Sequence, residues 1–119
     1  MKANRVVYQN GKYVSEKDAK ISIFDSALMW GDMVFEMTRS FNQKQHKLRE
    51  HLERMYVGIK ILRIPMKLTI DQLEKICYEK IEKNKAAFEP HDEHRLLINV
   101  SRGPLGIYSS VFDNKMEPT

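Results

Sequence analysis

Two arginines pose the first chemical question. In "MVFEMTRSF", residues 33–41, strand alternation puts Phe35, Met37, Arg39 and Phe41 on one face and Val34, Glu36, Thr38 and Ser40 on the other. An arginine on an apolar face is costly unless something anionic meets it. Arg39 therefore reads in either of two ways. It is a carboxylate anchor for a small substrate, with Phe35 and Met37 as an apolar wall, or it is an interface arginine on a partly covered sheet. Glu36, on the opposite face, reads as a structural or salt-bridged carboxylate rather than a general base. Trp30, just before the strand, is either core filling or one side of a pocket.

The second arginine lies on a helix. At 100° per residue His51, Arg54 and Gly58 line one side of the segment 48–62, beside its apolar stripe. A glycine inside a helix costs about 1 kcal/mol against alanine, so it marks a close approach of another backbone or a ligand. Arg54 beside such a notch could present its planar fork of donors to a phosphate. The plainer alternative pairs Arg54 with Glu50 or Glu53, or leaves it in water, with Gly58 a packing glycine.

Other chemistries find no support. The histidines His46, His51, His91 and His94 lack metal-binding helical spacing on one face; His91 and His94 flank a loop beside Pro90. No Walker-type loop, no G-x-S-x-G and no nucleophile–base pair is present. The single cysteine, Cys77, forms no internal disulfide, which fits a reducing cytoplasm. The N-terminal stretch carries charges but no apolar signal core, and no apolar run approaches the ~20 residues that span a bilayer. The net charge of +4 is spread among interleaved acids, as on a solvated helix face rather than a nucleic-acid groove. The 119 residues, 42% hydrophobic and 30% charged, suit one soluble domain or a piece of a larger protein.

The elements that must position the arginines follow from local signals. Val6–Tyr8 and Tyr13–Val14 flank Asn10-Gly11, the strongest short hairpin signal. Lys20 to Phe24 is an extended entry to a loop, and Asp25-Ser26 caps a short helical turn that ends at Gly31-Asp32. After the strand 33–41, Asn42-Gln43 makes a turn. Leu48, Leu52, Met55, Ile59 and Leu62 set the stripe of the long helix, closed by Pro65. Thr69 and Gln72 have capping-box spacing, and Ile70, Leu73, Ile76, Cys77 and Ile81 form the next helix's stripe. Arg95 to Ser101 is a further strand, with a turn at Arg102-Gly103-Pro104. The order predicts an α+β fold: an antiparallel or mixed sheet with both helices packed on one face.

Taken in order, these stretches resemble one family. "QNGKYVSEKDAKISIFD", "LMWGDMVFEMTR", "LREHLERMYVGIKILRI" and "RLLINVSRG" resemble, in sequence and spacing, the N-terminal part of the class IV, fold-type IV pyridoxal-phosphate enzymes. That group includes branched-chain aminotransferase, D-amino-acid aminotransferase and aminodeoxychorismate lyase. The resemblance covers residues 8 to about 106. It implies that Arg54 binds the cofactor phosphate and that Trp30, Phe35 and Arg39 border the substrate pocket. Trp30 stands in place of a frequent tyrosine, and Met37 in place of a frequent small glycine, which narrows the pocket. Ile107 and Ser109 stand where D-amino-acid enzymes place an Arg-x-His carboxylate trap, which disfavours that specificity.

The resemblance also implies what these residues do not supply. The family's Schiff-base lysine and the glutamate facing the pyridine nitrogen belong to a C-terminal domain, and neither Lys47 nor Lys60 matches by position. Residues 1–119 are thus expected to be the small N-terminal domain of a cytoplasmic, homodimeric aminotransferase, inactive alone. The substrates implied are branched-chain amino acids and 2-oxo acids, with no metal, nucleic-acid or membrane partner. Alternatives within the same reading are the lyase and a non-catalytic dimerisation or binding module.

Overall fold

The computed structural model describes residues 5–105; Ile107 and Ser109 lie outside them. The chain begins with a hairpin, β1 (Val6–Gln9) and β2 (Lys12–Ser15), paired antiparallel with Tyr8 opposite Tyr13. Asn10 and Gly11 supply the positive φ values, 51° and 89°, that a tight hairpin turn demands. A short helix, α1 (Ser26–Trp30), follows, its first turn capped by Asp25, whose side chain accepts from the Ala27 amide.

The central strand β3 (Met33–Phe41) runs between β4 (Lys44–Gln45) and β5 (Arg95–Ser101), antiparallel to both. The helices are α2 (Leu48–Leu62) and α3 (Ile70–Lys83). The α+β class and the antiparallel pairing are as expected, but the strands divide between two sheets. The reason lies in Asn84, at the end of α3. Its buried side chain accepts from the Val6 amide at 2.7 Å and donates to the Val6 carbonyl at 2.9 Å. It thereby does for β1 what a neighbouring strand would do. Tyr13 adds a hydroxyl bond to Glu79 on α3, 3.0 Å long.

Extra strand β4 arises because Asn42 and Gln43 both take positive φ, 52° and 64°, which turns the chain straight back on β3. Glu93 stabilises that turn, accepting from the Gln43 amide at 2.8 Å.

Between α2 and the sheet lies the core. Leu48, Leu52, Met55 and Ile59 of α2 are buried with Leu73 and Cys77 of α3 and with Leu96, Ile98 and Val100 of β5. Leu62, expected in the stripe, is exposed. The helix ends there in a Schellman arrangement: Arg63 takes φ 55°, and the amides of Arg63 and Ile64 return to the carbonyls of Lys60 and Ile59. That reversal carries Ile64 into the core in place of Leu62. Arg102, after β5, locks the same corner. It pairs with Asp32 at 2.7 Å and donates to the Leu62 and Arg63 carbonyls at 2.7 and 3.0 Å, carbonyls the helix leaves without partners.

Gly58 sets how closely α2 sits on β3. A Cβ there would lie 2.9 Å from Val34 Cγ1, closer than carbon atoms pack. The glycine is thus a packing glycine, and the approaching group is a stiff β-branched side chain. Overpacking costs about 1–3 kcal/mol, while alanine returns about 1 kcal/mol of helix propensity. Gly58→Ala should therefore lower the stability of the protein by about 1 kcal/mol in urea unfolding. A rise in the unfolding midpoint would show that α2 is free to lift from the strand.

Candidate functional site

Alternation along β3 decides which side chains meet. Glu36, Thr38 and Ser40 point inward and are buried; Phe35, Met37, Arg39 and Phe41 point outward and are exposed. Glu36 is a carboxylate placed on a helix-covered face, so it needs partners. They come from α2, where positions 51 and 54, three apart, share one side of the helix.

Arg54 donates to Glu36 through both Nε, at 2.8 Å, and Nη2, at 2.6 Å. His51 Nδ1 lies 2.7 Å from the Glu36 oxygen that Nη2 also reaches. An ionised carboxylate only accepts, so this His51 nitrogen carries the proton. The bonds from Arg54 outweigh the cost of burial and, helped by His51, hold the Glu36 carboxyl below the usual carboxylate range. Glu36 is the salt-bridged structural carboxylate its inward position suggested. Arg54 does not pair with Glu50 or Glu53; Glu53 instead meets Arg49.

Despite this anchor the Arg54 side chain is 71% exposed. Glu36 occupies the Nε–Nη2 edge of the guanidinium. The Nη1 group meets no acceptor among the described residues. A guanidinium carries five N–H donors in a rigid plane, so the Nη1–Nη2 edge remains a second fork, suited to an oxyanion. Arg54 therefore fits a phosphate in charge, geometry and access.

The structure places the other candidate residues elsewhere. Phe35 is 64% exposed on the outer face, across from Asn99 of β5, and Met37 beside it lies across from Leu97. Arg39 lies on the same face, its guanidinium carbon 4.2 Å over the Phe41 ring. Its backbone partner across the strands is Arg95. Trp30 closes α1 and is 64% exposed. Arg54 is thus brought to Glu36 and His51 on the inner side of β3, while Phe35 and Arg39 occupy the outer side. The sheet separates the two groups. Between Met33 and Arg39, β3 pairs with β5 on one edge, and β4 reaches only Ser40 and Phe41 on the other. Among the described residues no other strand covers that second edge, and a ligand touching both groups would pass it.

Burial pushes the Cys77 thiol up to about 11, so it stays protonated at neutral pH. Among the described residues no group of acids, histidines and cysteines could hold a metal ion, and no helix is long and apolar enough to cross a membrane.

Comparison with known proteins agrees with this architecture. The sequence pattern of the amino-transferase class IV family matches residues 33–119. A Methanocaldococcus jannaschii protein assigned as a branched-chain-amino-acid aminotransferase is 37% identical over 102 residues, covering 85% of this chain and 34% of its own. The branched-chain aminotransferase of Thermoproteus uzoniensis, solved with norvaline, superposes with a TM-score of 0.79 at 22% identity, covering 98% of this chain and 38% of its own. The T.th. branched-chain aminotransferase, solved with N-(5'-phosphopyridoxyl)-L-glutamate, gives 0.73 at 24% identity, over 87% of this chain and 35% of its own. The chain belongs to the class IV aminotransferase family. It spans about a third of the length of the relatives it matches.

The Glu36 cluster makes stability depend on acid. A carboxyl whose pKa is depressed by folding stabilises the fold fully above its unfolded value, near 4.3, and loses that contribution as the pH falls through the lowered folded value. Glu36→Gln should melt below the unaltered protein at pH 6, and the two melting temperatures should converge as the pH drops below about 4. A gap that stays constant across this range would mean that ionised Glu36 contributes nothing to the fold.

Proposed function

We propose that residues 1–119 form the phosphate-holding N-terminal part of a pyridoxal-phosphate-dependent aminotransferase. Its substrates are branched-chain amino acids and 2-oxo acids. The observation that carries this reading is the Arg54 guanidinium, anchored at one edge and open at the other. Family membership supports it, as does the branched-chain assignment of the M. jannaschii relative.

When bound, the cofactor supplies an electron-accepting ring and carries the amino group between substrates. Arg54 binds its phosphate. The outer face of β3 supplies apolar contact through Phe35 and Met37, suited to hydrocarbon side chains. Arg39 borders that face and offers a cation to a substrate carboxylate, and Trp30 supplies a further aromatic surface. Met37 takes more room than a glycine would and favours compact substrates. In this reading the rest of the polypeptide covers the exposed apolar side chains Phe35, Met37, Phe41 and Leu97. It also provides the lysine that holds the cofactor, and the whole works as a cytoplasmic homodimer.

The test uses the full-length protein. It should transfer the amino group of leucine, valine or isoleucine to a 2-oxo acid and leave aminodeoxychorismate intact. Release of pyruvate from aminodeoxychorismate would assign the lyase reaction instead. Arg54→Ala should lower affinity for pyridoxal phosphate about 10- to 100-fold, the worth of charged hydrogen bonds, in a titration followed by visible absorption. Undiminished cofactor retention would make Arg54 a surface residue.

A further inference from the structure

The cluster behind Arg54 has a shape that a simple buried ion pair does not need. Glu36 is 7% exposed, rooted in a strand and paired across the sheet with Ile98, itself in the core. Its carboxylate grips Arg54 by the Nε–Nη2 edge alone. His51, from one turn earlier on α2, holds the same carboxylate from another side. Gly58, one turn later, seats α2 tightly against Val34 of the same strand. Within the cluster Glu36 is buried and the His51 side chain is 27% exposed, while the Arg54 side chain, at 71%, turns its far edge to solvent.

An arginine that exposed would otherwise sample many rotamers and lose that freedom on meeting an anion. Here much of the ordering is already done by the fold. We infer that Glu36 is a positioning residue: it fixes the Arg54 guanidinium side-on so that the Nη1–Nη2 fork faces outward, ready for the cofactor phosphate. The inference rests on the proposed phosphate-binding role of Arg54 and adds the device that aims it.

A competing effect has the opposite sign. The Glu36 charge partly cancels that of Arg54 and should by itself repel a phosphate. If the field dominates, neutralising Glu36 strengthens phosphate binding; if positioning dominates, it weakens it. His51 is the remaining titratable group facing Glu36, so measurements are made at one fixed pH.

The experiment titrates the full-length protein with pyridoxal phosphate and with pyridoxal, which lacks the phosphate. The ratio of the two affinities isolates the phosphate contact, since general damage to the fold weakens both ligands together. Arg54→Ala should collapse the ratio. Glu36→Gln keeps the side-chain shape but loses one charged acceptor, and should lower the ratio about tenfold. In the Arg54→Ala background it should lower it no further, because the residue it aims is gone. Where Glu36→Gln does not fold, Glu36→Asp, which keeps the charge but falls short of the side-on grip, should lower the ratio likewise. A ratio unchanged or raised in the Glu36 variants, with Arg54→Ala still collapsing it, overturns the positioning role and leaves the phosphate contact standing. A ratio unaffected by Arg54→Ala overturns the phosphate contact and the positioning role with it.

Discussion

A carboxylate on the covered face of a central strand is the constraint around which this domain is arranged. Glu36 sits where the period of β3 assigns a core residue, and an unpaired charge there would cost several kcal/mol. The fold answers with Arg54 and His51, both from α2. The pairing fixes how α2 lies along β3, as does the close contact of Gly58 with Val34. It also leaves half of a guanidinium in solvent. A structural need and a binding surface are met by the same side chain.

The remaining polar contacts show the same economy. Asn84 replaces a strand neighbour for β1, so a lone hairpin can attach to the end of a helix. Arg102 pairs with Asp32 and caps the last carbonyls of α2, tying the start of β3, the end of the helix and the turn after β5 into one corner. Ser40, fully buried, accepts from the His94 amide and donates to Glu93, which in turn holds the β3–β4 turn. In each case one side chain satisfies backbone groups from elements far apart in sequence. These contacts hold both ends of β3, through Arg102 with Asp32 at its start and Glu93 at the turn that follows it.

That outer face and Arg54 lie on opposite sides of the sheet. In the proposed function the phosphate and the substrate's hydrocarbon part are therefore recognised by different sides of one strand, around its open edge. Alternation makes this separation unavoidable: Phe35 and Glu36 are neighbours in sequence and face opposite ways.

Local signals determined much of this molecule. The bounds of β3, α2 and β5, the Asn10-Gly11 hairpin, the Asp25 cap and the Thr69–Gln72 capping box were all legible, because each depends on residues a few positions apart. The inward position of Glu36 and the placement of His51, Arg54 and Gly58 along one side of α2 were legible for the same reason. Which partner each charge would take was not. Glu50 and Glu53 lay nearer to Arg54 in sequence, yet Glu36, 18 residues away, holds it. A buried acid has lost its water and gains more from a fixed cation than solvated glutamates on the same helix can. The division into two sheets, the left-handed turn at Gln43, the exchange of Leu62 for Ile64 and the capping role of Arg102 were likewise decided only when distant elements met. Periodicity assigns a side chain to a face; only packing assigns it a neighbour.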